Sequence, residues 1–370
     1  MKKQFCLFSL KRLLGWVSVL FLPIILSSCD PHEWPEEAEI TYDFTLSMDF
    51  STELPLYKEV YYSRGGEEQS RTITQEHDLR YKIQVYQVNG IEDDSRIVYK
   101  TFFFTRKKPV NPDYTVHLEL PAGDYRFRIW ADYVSPGTIE DKYYDTSDFS
   151  SISLADRQYH QGSNEYRDAF MGTAFGSVYD PDLYNYHHGT SPNNSVVAEM
   201  KRPMGRYEFI STDMEEFLTN FFDTRSEDDA NKLPSWSGLS PDQIAQQISL
   251  SEYKVVFSYN AFMPSTYNIY TDRPTDSWTN VSFESSMEIG EEGMILGFDY
   301  LFVADETLMN LNMDIYNASG ERIASTSGVQ VPVVRNKNTV VKGKFLTATS
   351  SGGVSINPGY DGDDYNIEIN

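Results

Sequence analysis

Cys29 is the most reactive side chain in the sequence, and its setting suits covalent modification. It closes Leu26-Ser27-Ser28-Cys29, an aliphatic residue and two small ones ahead of a thiol. Small residues admit a peptidase between Ser28 and Cys29, and a thiolate is the nucleophile that acylation needs. This is the pattern of a lipobox, with Cys29 as the lipid-bearing residue. Lys2, Lys3, Lys11 and Arg12 give the chain a positive start, and no acid precedes Asp30. The apolar run from Leu13 to Leu26 falls short of the roughly 20 residues a spanning helix needs. Residues 1–28 are therefore expected to be a secretory signal. Two or more acyl chains, at about 0.8 kcal/mol per buried methylene, then hold the protein on a bilayer. Cys6 leaves with the signal, so the processed chain keeps one cysteine and has no means of forming an internal disulfide or a cysteine metal site.

The other polar clusters match no reaction motif. There is no Gly-x-Ser-x-Gly, phosphate loop, His-Glu-x-x-His or helix-opening Gly-x-Gly-x-x-Gly. His187-His188 pairs two imidazoles, but neighbours on a strand face opposite ways and no carboxylate stands at ligand spacing, so a surface loop pair is expected. Asp361-Gly362-Asp363-Asp364 has the oxygen density that Ca²⁺ favours yet lacks the remaining ligands, which reads as a solvated acidic tail. Glu215-Glu216 and Glu291-Glu292 are chain neighbours, a spacing that defines no acid–base pair. The expectation is a protein with no catalytic residue, metal or cofactor.

Charge narrows the partners. The chain has 31 Lys and Arg against 55 Asp and Glu, a formal balance of −24, and losing the signal's cations makes it more negative. Such a surface repels nucleic acid, and a domain lying flat on anionic lipid would be basic. Acids begin directly after Cys29, in Asp30-Pro31-His32-Glu33-Trp34-Pro35-Glu36-Glu37. Residues 29–39 thus read as an extended acidic tether. The run is similar to the one that sends lipoproteins of the Bacteroidota to the cell surface.

The elements that must position any site are mostly strands. Tyr42, Phe44, Leu46, Met48 and Phe50 alternate with polar residues, the signature of a strand with one buried face. The same period recurs at Val116/Leu118/Leu120, Tyr125/Phe127/Ile129, Val255/Phe257/Tyr259, Leu311/Met313/Ile315 and Val329/Val331/Val333. Ile97-Val98-Tyr99 with Phe102-Phe103-Phe104 suggests strands covered on both faces. Helical signals are few: Asp213 with Glu216 has N-cap spacing, and Ser240-Pro241-Asp242 opens a second short helix. Thr224 to Ser240 reads as a polar surface loop. Residues 135–194 form a long Tyr-rich region, either a recognition loop or a crossover packed on the sandwich. Within it Arg157, Arg167 and Asp168 are expected to be structural partners.

Several segments in series carry a resemblance. Leu120-Pro121-Ala122-Gly123-Asp124-Tyr125 running into Trp130-Ala131-Asp132, Lys201-Arg202-Pro203-Met204-Gly205-Arg206-Tyr207, Gly297-Phe298-Asp299-Tyr300, Val331-Pro332-Val333-Val334-Arg335-Asn336 and Ile356-Asn357-Pro358-Gly359-Tyr360-Asp361 resemble, in order, the fimbrillin-type lipoproteins of the Bacteroidota. The match is to an uncharacterised branch. It implies an all-β chain of two tandem transthyretin-like, Greek-key β-sandwich domains, over residues 40–203 and 204–370, with a few short helices in loops. It also implies assembly by strand addition among fimbrial subunits, after an Arg-specific protease removes the first strand. Arg64 and Arg71, in the polar segment Ser63–Arg71, are the candidate processing sites, against the alternative of an uncut loop. An outer-membrane lipoprotein exposed at the cell surface is expected, either a fimbrial component or a tethered glycan- or protein-binding receptor that does not polymerise.

Overall fold

The computed structural model describes residues 39–50, 77–107, 113–222, 236, 239–348, 359–361 and 364–369. Cys29, Ser28, Arg64 and Arg71 lie outside them, as does most of the Thr224–Ser240 loop. Tyr42–Asn370 packs as one compact unit. The all-β expectation holds, with four sheets and short helices in the connections.

The first sheet has seven strands: β1 (Tyr42–Phe50), β2 (Asp78–Val88), β3 (Lys100–Lys107), β4 (Tyr114–Leu120), β5 (Gly123–Val134), β8 (Ala169–Val178) and β9 (Ser195–Lys201). Their order is β3-β2-β5-β8-β9-β1-β4. The sheet encloses its own core, in which Phe44 and Leu46 of β1 meet Tyr81 and Ile83 of β2 and Phe127 of β5. The turn from β4 into β5 is closed by Tyr125, whose hydroxyl donates to the Pro121 carbonyl at 3.1 Å. β2 is buried on both faces, because residues 135–168 cover its outer side; Arg80 and Lys82 lie beneath that cover.

The chain then passes through Arg202-Pro203 into the second half. A six-stranded sheet holds β10 (Met204–Ser211), β15 (Glu288–Gly290), β16 (Gly293–Phe302), β19 (Asn338–Gly343), β20 (Gly359–Asp361) and β21 (Asp364–Ile369). Its order is β15-β16-β10-β19-β21-β20, with β19 parallel to both β10 and β21. A four-stranded sheet, β14-β11-β17-β18, packs against it through Phe257, Leu311 and Val331; these strands are β11 (Lys254–Tyr259), β14 (Ser282–Ser285), β17 (Glu306–Tyr316) and β18 (Arg322–Val334). Gly205 is required where β10 crosses β18, since a Cβ there would sit on the Val334 carbonyl.

The last sheet draws on both halves. Its order is β13-β12-β7-β6, where β6 (Tyr144–Asp145) and β7 (Ile152–Leu154) come from the crossover, and β12 (Phe262–Asn268) and β13 (Arg273–Thr279) from the later part of the chain. Trp130, Tyr144 and Phe149 accordingly join the second core.

Among the described residues three α-helices fill connections: α1 (Pro181–His188), α2 (Met214–Phe222) and α3 (Pro241–Ala245). α3 opens at Ser240-Pro241-Asp242 as expected, and Ser240 and Gln243 close a capping box there. Asp213 does something else: its buried carboxylate accepts from the Thr347 amide at 2.9 Å and hydroxyl at 2.7 Å, tying the start of α2 to the strand-end loop. Among the described residues no helix is long and apolar enough to cross a membrane.

One local expectation changes. Ile97 to Tyr99 are not in a strand and are exposed, and β3 is an outer strand covered on one face only. Asp361 and Asp364 are register partners in the β20–β21 pair, while Gly362 and Asp363 lie outside the described residues.

Candidate functional site

The site that stands out is the slot held by β1. The strand forms because its alternating residues satisfy two environments at once. Phe44, Leu46, Met48 and Phe50 are buried, while Asp43 and Asp49 face out. Phe44 stacks on Phe127 at 5.2 Å, and Phe50 meets Phe170 edge-on at 4.9 Å. Gly176 on β8 leaves the space that the Phe44 ring fills. Phe50 ends the strand with its amide donating to Asp113 Oδ1 at 2.8 Å.

β1 lies between β4, to which it is antiparallel, and β9, to which it is parallel. Leu46 stands opposite Val116 on one side and Val196 on the other. Two ladders therefore hold one strand, and β1 alone connects β4 to the rest of the sheet. Burying four such apolar side chains stabilises the half by roughly 6–12 kcal/mol, a figure close to a whole domain's net stability of about 5–15 kcal/mol. Any occupant of the slot must supply the same alternation. The chain leaves β1 at Phe50 and re-enters at β2, two strands beyond β8, so a break anywhere in 51–76 would leave β1 held by non-covalent contacts alone.

α1 stands beside this slot. Asp180 caps it, accepting from the Asp182 and Leu183 amides; Pro181 starts it, and Gly189 ends it with φ 69°. Asp180 also accepts a hydrogen bond from the Tyr42 hydroxyl at 2.7 Å, which holds that phenol above its ordinary pKa and the carboxyl below its own. No residue of α1 is buried, and Tyr186 is 84% exposed. His187 and His188 therefore end a helix, where cations suit the carbonyl terminus; His188 packs on Tyr184 and His187 on Tyr186. Among the described residues no group of three or more His, Cys, Asp or Glu converges on a common point.

The Tyr-rich region 135–194 thus divides. Tyr144 and Phe149 pack into the second core, and Tyr143 stacks on His77. Residues 179–188 project outward instead. Glu215 and Glu216 begin α2 at the surface. A shallow groove of about 400 Å³ beside Tyr316 and Asn317 is flanked by the Lys254–Glu284 ion pair at 3.0 Å.

Three buried carboxylates are matched with arginines. Asp132 receives both arms of Arg80, and Asp168 both arms of Arg202, at 2.8–2.9 Å. Arg157 donates to the Thr279 carbonyl at 3.0 Å. The densest knot surrounds Asp299 on β16. Arg167 pairs with its Oδ1, while His160 Nε2 and the Tyr259 hydroxyl each reach Oδ2 at 2.6 Å. Tyr207 in turn lies 2.9 Å from the Tyr259 hydroxyl. Burial drives Asp299 towards neutrality, but Arg167 and His160 outweigh it and hold its carboxyl below the usual range. Arg167 and His160 come from the crossover and Asp299 from the second half, so this knot joins the two. Asp299 carries a sequence signal that is easy to pass over, a lone acid within the apolar run from Met294 to Val303.

One pH effect follows. Burial lowers the His160 pKa in the folded protein, more than Asp299 raises it. Below about 6.5, the unperturbed value, the unfolded chain takes the proton more readily, so stability should fall as pH drops through 6.5. Denaturant melts between pH 8 and pH 5.5, at about half-unit steps, should show this slope, and His160→Gln should flatten it. An unchanged slope in the variant would remove His160 from the account.

The described residues thus form an all-β chain with an enclosed strand at β1 and a projecting aromatic helix beside it. A family model described as "Family of unknown function (DUF6562)" matches residues 40–370, and the chain belongs to that family. Among curated proteins no sequence matches. Solved structures similar to it include the fimbrial anchor protein Mfa2 from Porphyromonas gingivalis, at 9% identity over 77% of this chain and 82% of that one, TM-score 0.34. Another is the tip fimbrial protein Mfa3 from Porphyromonas gingivalis with C-terminal truncation, at 10% identity over 79% and 81%, TM-score 0.33.

Proposed function

We propose that the protein is a lipid-tethered, surface-exposed component of a fimbrial or adhesive assembly, that strand addition at the β1 slot is its means of assembly, and that it carries no catalysis. The supporting observation is the position of β1: a strand flanked on both sides, whose four inward side chains complete a core. A slot with main-chain partners on two edges and pockets at alternate positions is the geometry that strand addition uses. Cys29 would deliver the chain to the outer membrane, and cutting at Arg64 or Arg71 would release lipid and first strand together.

Protein recovered from cell surfaces tests this. High-mass ladders in detergent, with the N-terminus beginning after Arg64 or Arg71, are expected of a polymerising subunit. A ladder with an intact Tyr42 strand would indicate an anchor or tip. A monomer with an intact N-terminus would overturn assembly. It would favour the tethered receptor, a reading supported by the exposed Tyr186, Leu183 and Tyr179 at α1.

A further inference from the structure

Among the described residues β3 is the outer strand at the end of the first sheet opposite β4, paired with β2 on one side. Its sequence departs from the rest of the chain. From Arg96 to Lys107 there are four cations and no acid, within a protein of charge −24. The flanking acids already have work inside the fold: Asp94 pairs with Arg128, and Asp113 accepts from the Phe50 amide. Asp78, across from Lys107, directs its carboxylate to the Gly137 amide.

The cations sit at the ends of the strand and leave its centre apolar. Phe102 and Phe104 reach the core but are only half covered, Phe103 is exposed on the other face, and Ile97 just before the strand is 82% exposed. Edge strands that resist pairing carry charge along their length or a proline within it; Lys100 to Lys107 has neither device at its centre. Self-pairing is disfavoured, since two antiparallel copies centred on Phe103 would set Lys100 against Arg106.

We infer that β3 is a second strand-addition edge, separate from the β1 slot, and that it accepts an extended acidic segment of a partner protein. The complementary segment has apolar residues facing Phe102 and Phe104 and a carboxylate near each end, to meet Lys100 and Lys107. Long-range repulsion from this acidic protein would weaken such a ligand, but that repulsion is screened beyond about 8 Å at physiological salt. The local cations decide.

The probe is a labelled synthetic peptide, Glu-Thr-Thr-Val-Thr-Val-Thr-Glu, set against its Lys-ended counterpart and a version with proline at the centre. Binding to the full chain is read by fluorescence anisotropy, and its location by hydrogen exchange. The Glu peptide should bind about tenfold more tightly than the Lys peptide, the proline version should not bind, and protection should appear in residues 100–107. The double variant Lys100→Glu with Lys107→Glu, at two exposed positions, should reverse the preference. Equal binding of both peptides, preference for the Lys peptide, no binding, or protection at β4 and β9 instead of β3 would each overturn the inference.

Discussion

A chain carrying Leu46→Asp should fail to hold its first half together. Leu46 is fully buried between Val116 and Val196. Removing a buried leucine costs about 2–5 kcal/mol, and an unpaired carboxylate in the same place adds several kcal/mol more. The combined loss approaches the about 5–15 kcal/mol that keeps a domain folded. β1 should leave the slot, and β4 should go with it because it has no other neighbour in the sheet among the described residues. Rapid hydrogen exchange across residues 42–50 and 114–120, with early proteolysis there, is the expected readout. Ser47→Asp is the control. Its side chain lies on the opposite face beside Thr115, 2.9 Å away, and the change should cost no more than about 0.5 kcal/mol. Equal damage from the two variants would mean that the strand is not held by its alternate face.

Asp299→Asn is the second large effect. The amide keeps the shape but removes the charge facing Arg167, which is 3% exposed. Breaking a buried pair by neutralising one partner costs about 3–5 kcal/mol, because the other ion stays buried without its counter-charge. Urea melts should show that loss. Arg167→Met combined with Asp299→Leu should cost less than the sum of the two single changes, since the pair is removed as a unit. A loss below about 1 kcal/mol for Asp299→Asn would place the junction's strength elsewhere, in the Arg202–Asp168 pair or in the shared core.

These two sites differ in how legible they were beforehand. β1 could be read directly, because period-two alternation over nine residues admits one face and one register; Tyr42–Phe50 matches the strand end to end. The slot could not, since neither β4 nor β9 is a sequence neighbour of β1 and their pairing depends on the whole sheet. The Arg167–Asp299 knot joins residues more than 130 positions apart, and no local pattern reports such a distance. α1 is legible in its caps and not in its body. Asp180-Pro181 at its start and Gly189 at its end are ordinary cap residues, but the short, tyrosine-rich stretch between them shows no apolar stripe because none of it is buried. The apolar run from Ile97 misleads for the converse reason: hydrophobic residues imply cover only if a neighbour exists, and β3 is the last strand of its sheet.

The proposed assembly role rests on β1 being exchangeable. The most direct measurement is to cut the purified chain between residues 51 and 76 with an Arg-specific protease and add an excess of isotope-labelled peptide matching residues 40–50. Native mass spectrometry then counts what occupies the slot. One labelled peptide per chain should replace the original strand, while a peptide carrying the Leu46→Asp change should not enter. A cut chain that keeps its own β1 indefinitely, or that takes up both peptides equally, would contradict strand addition at this slot.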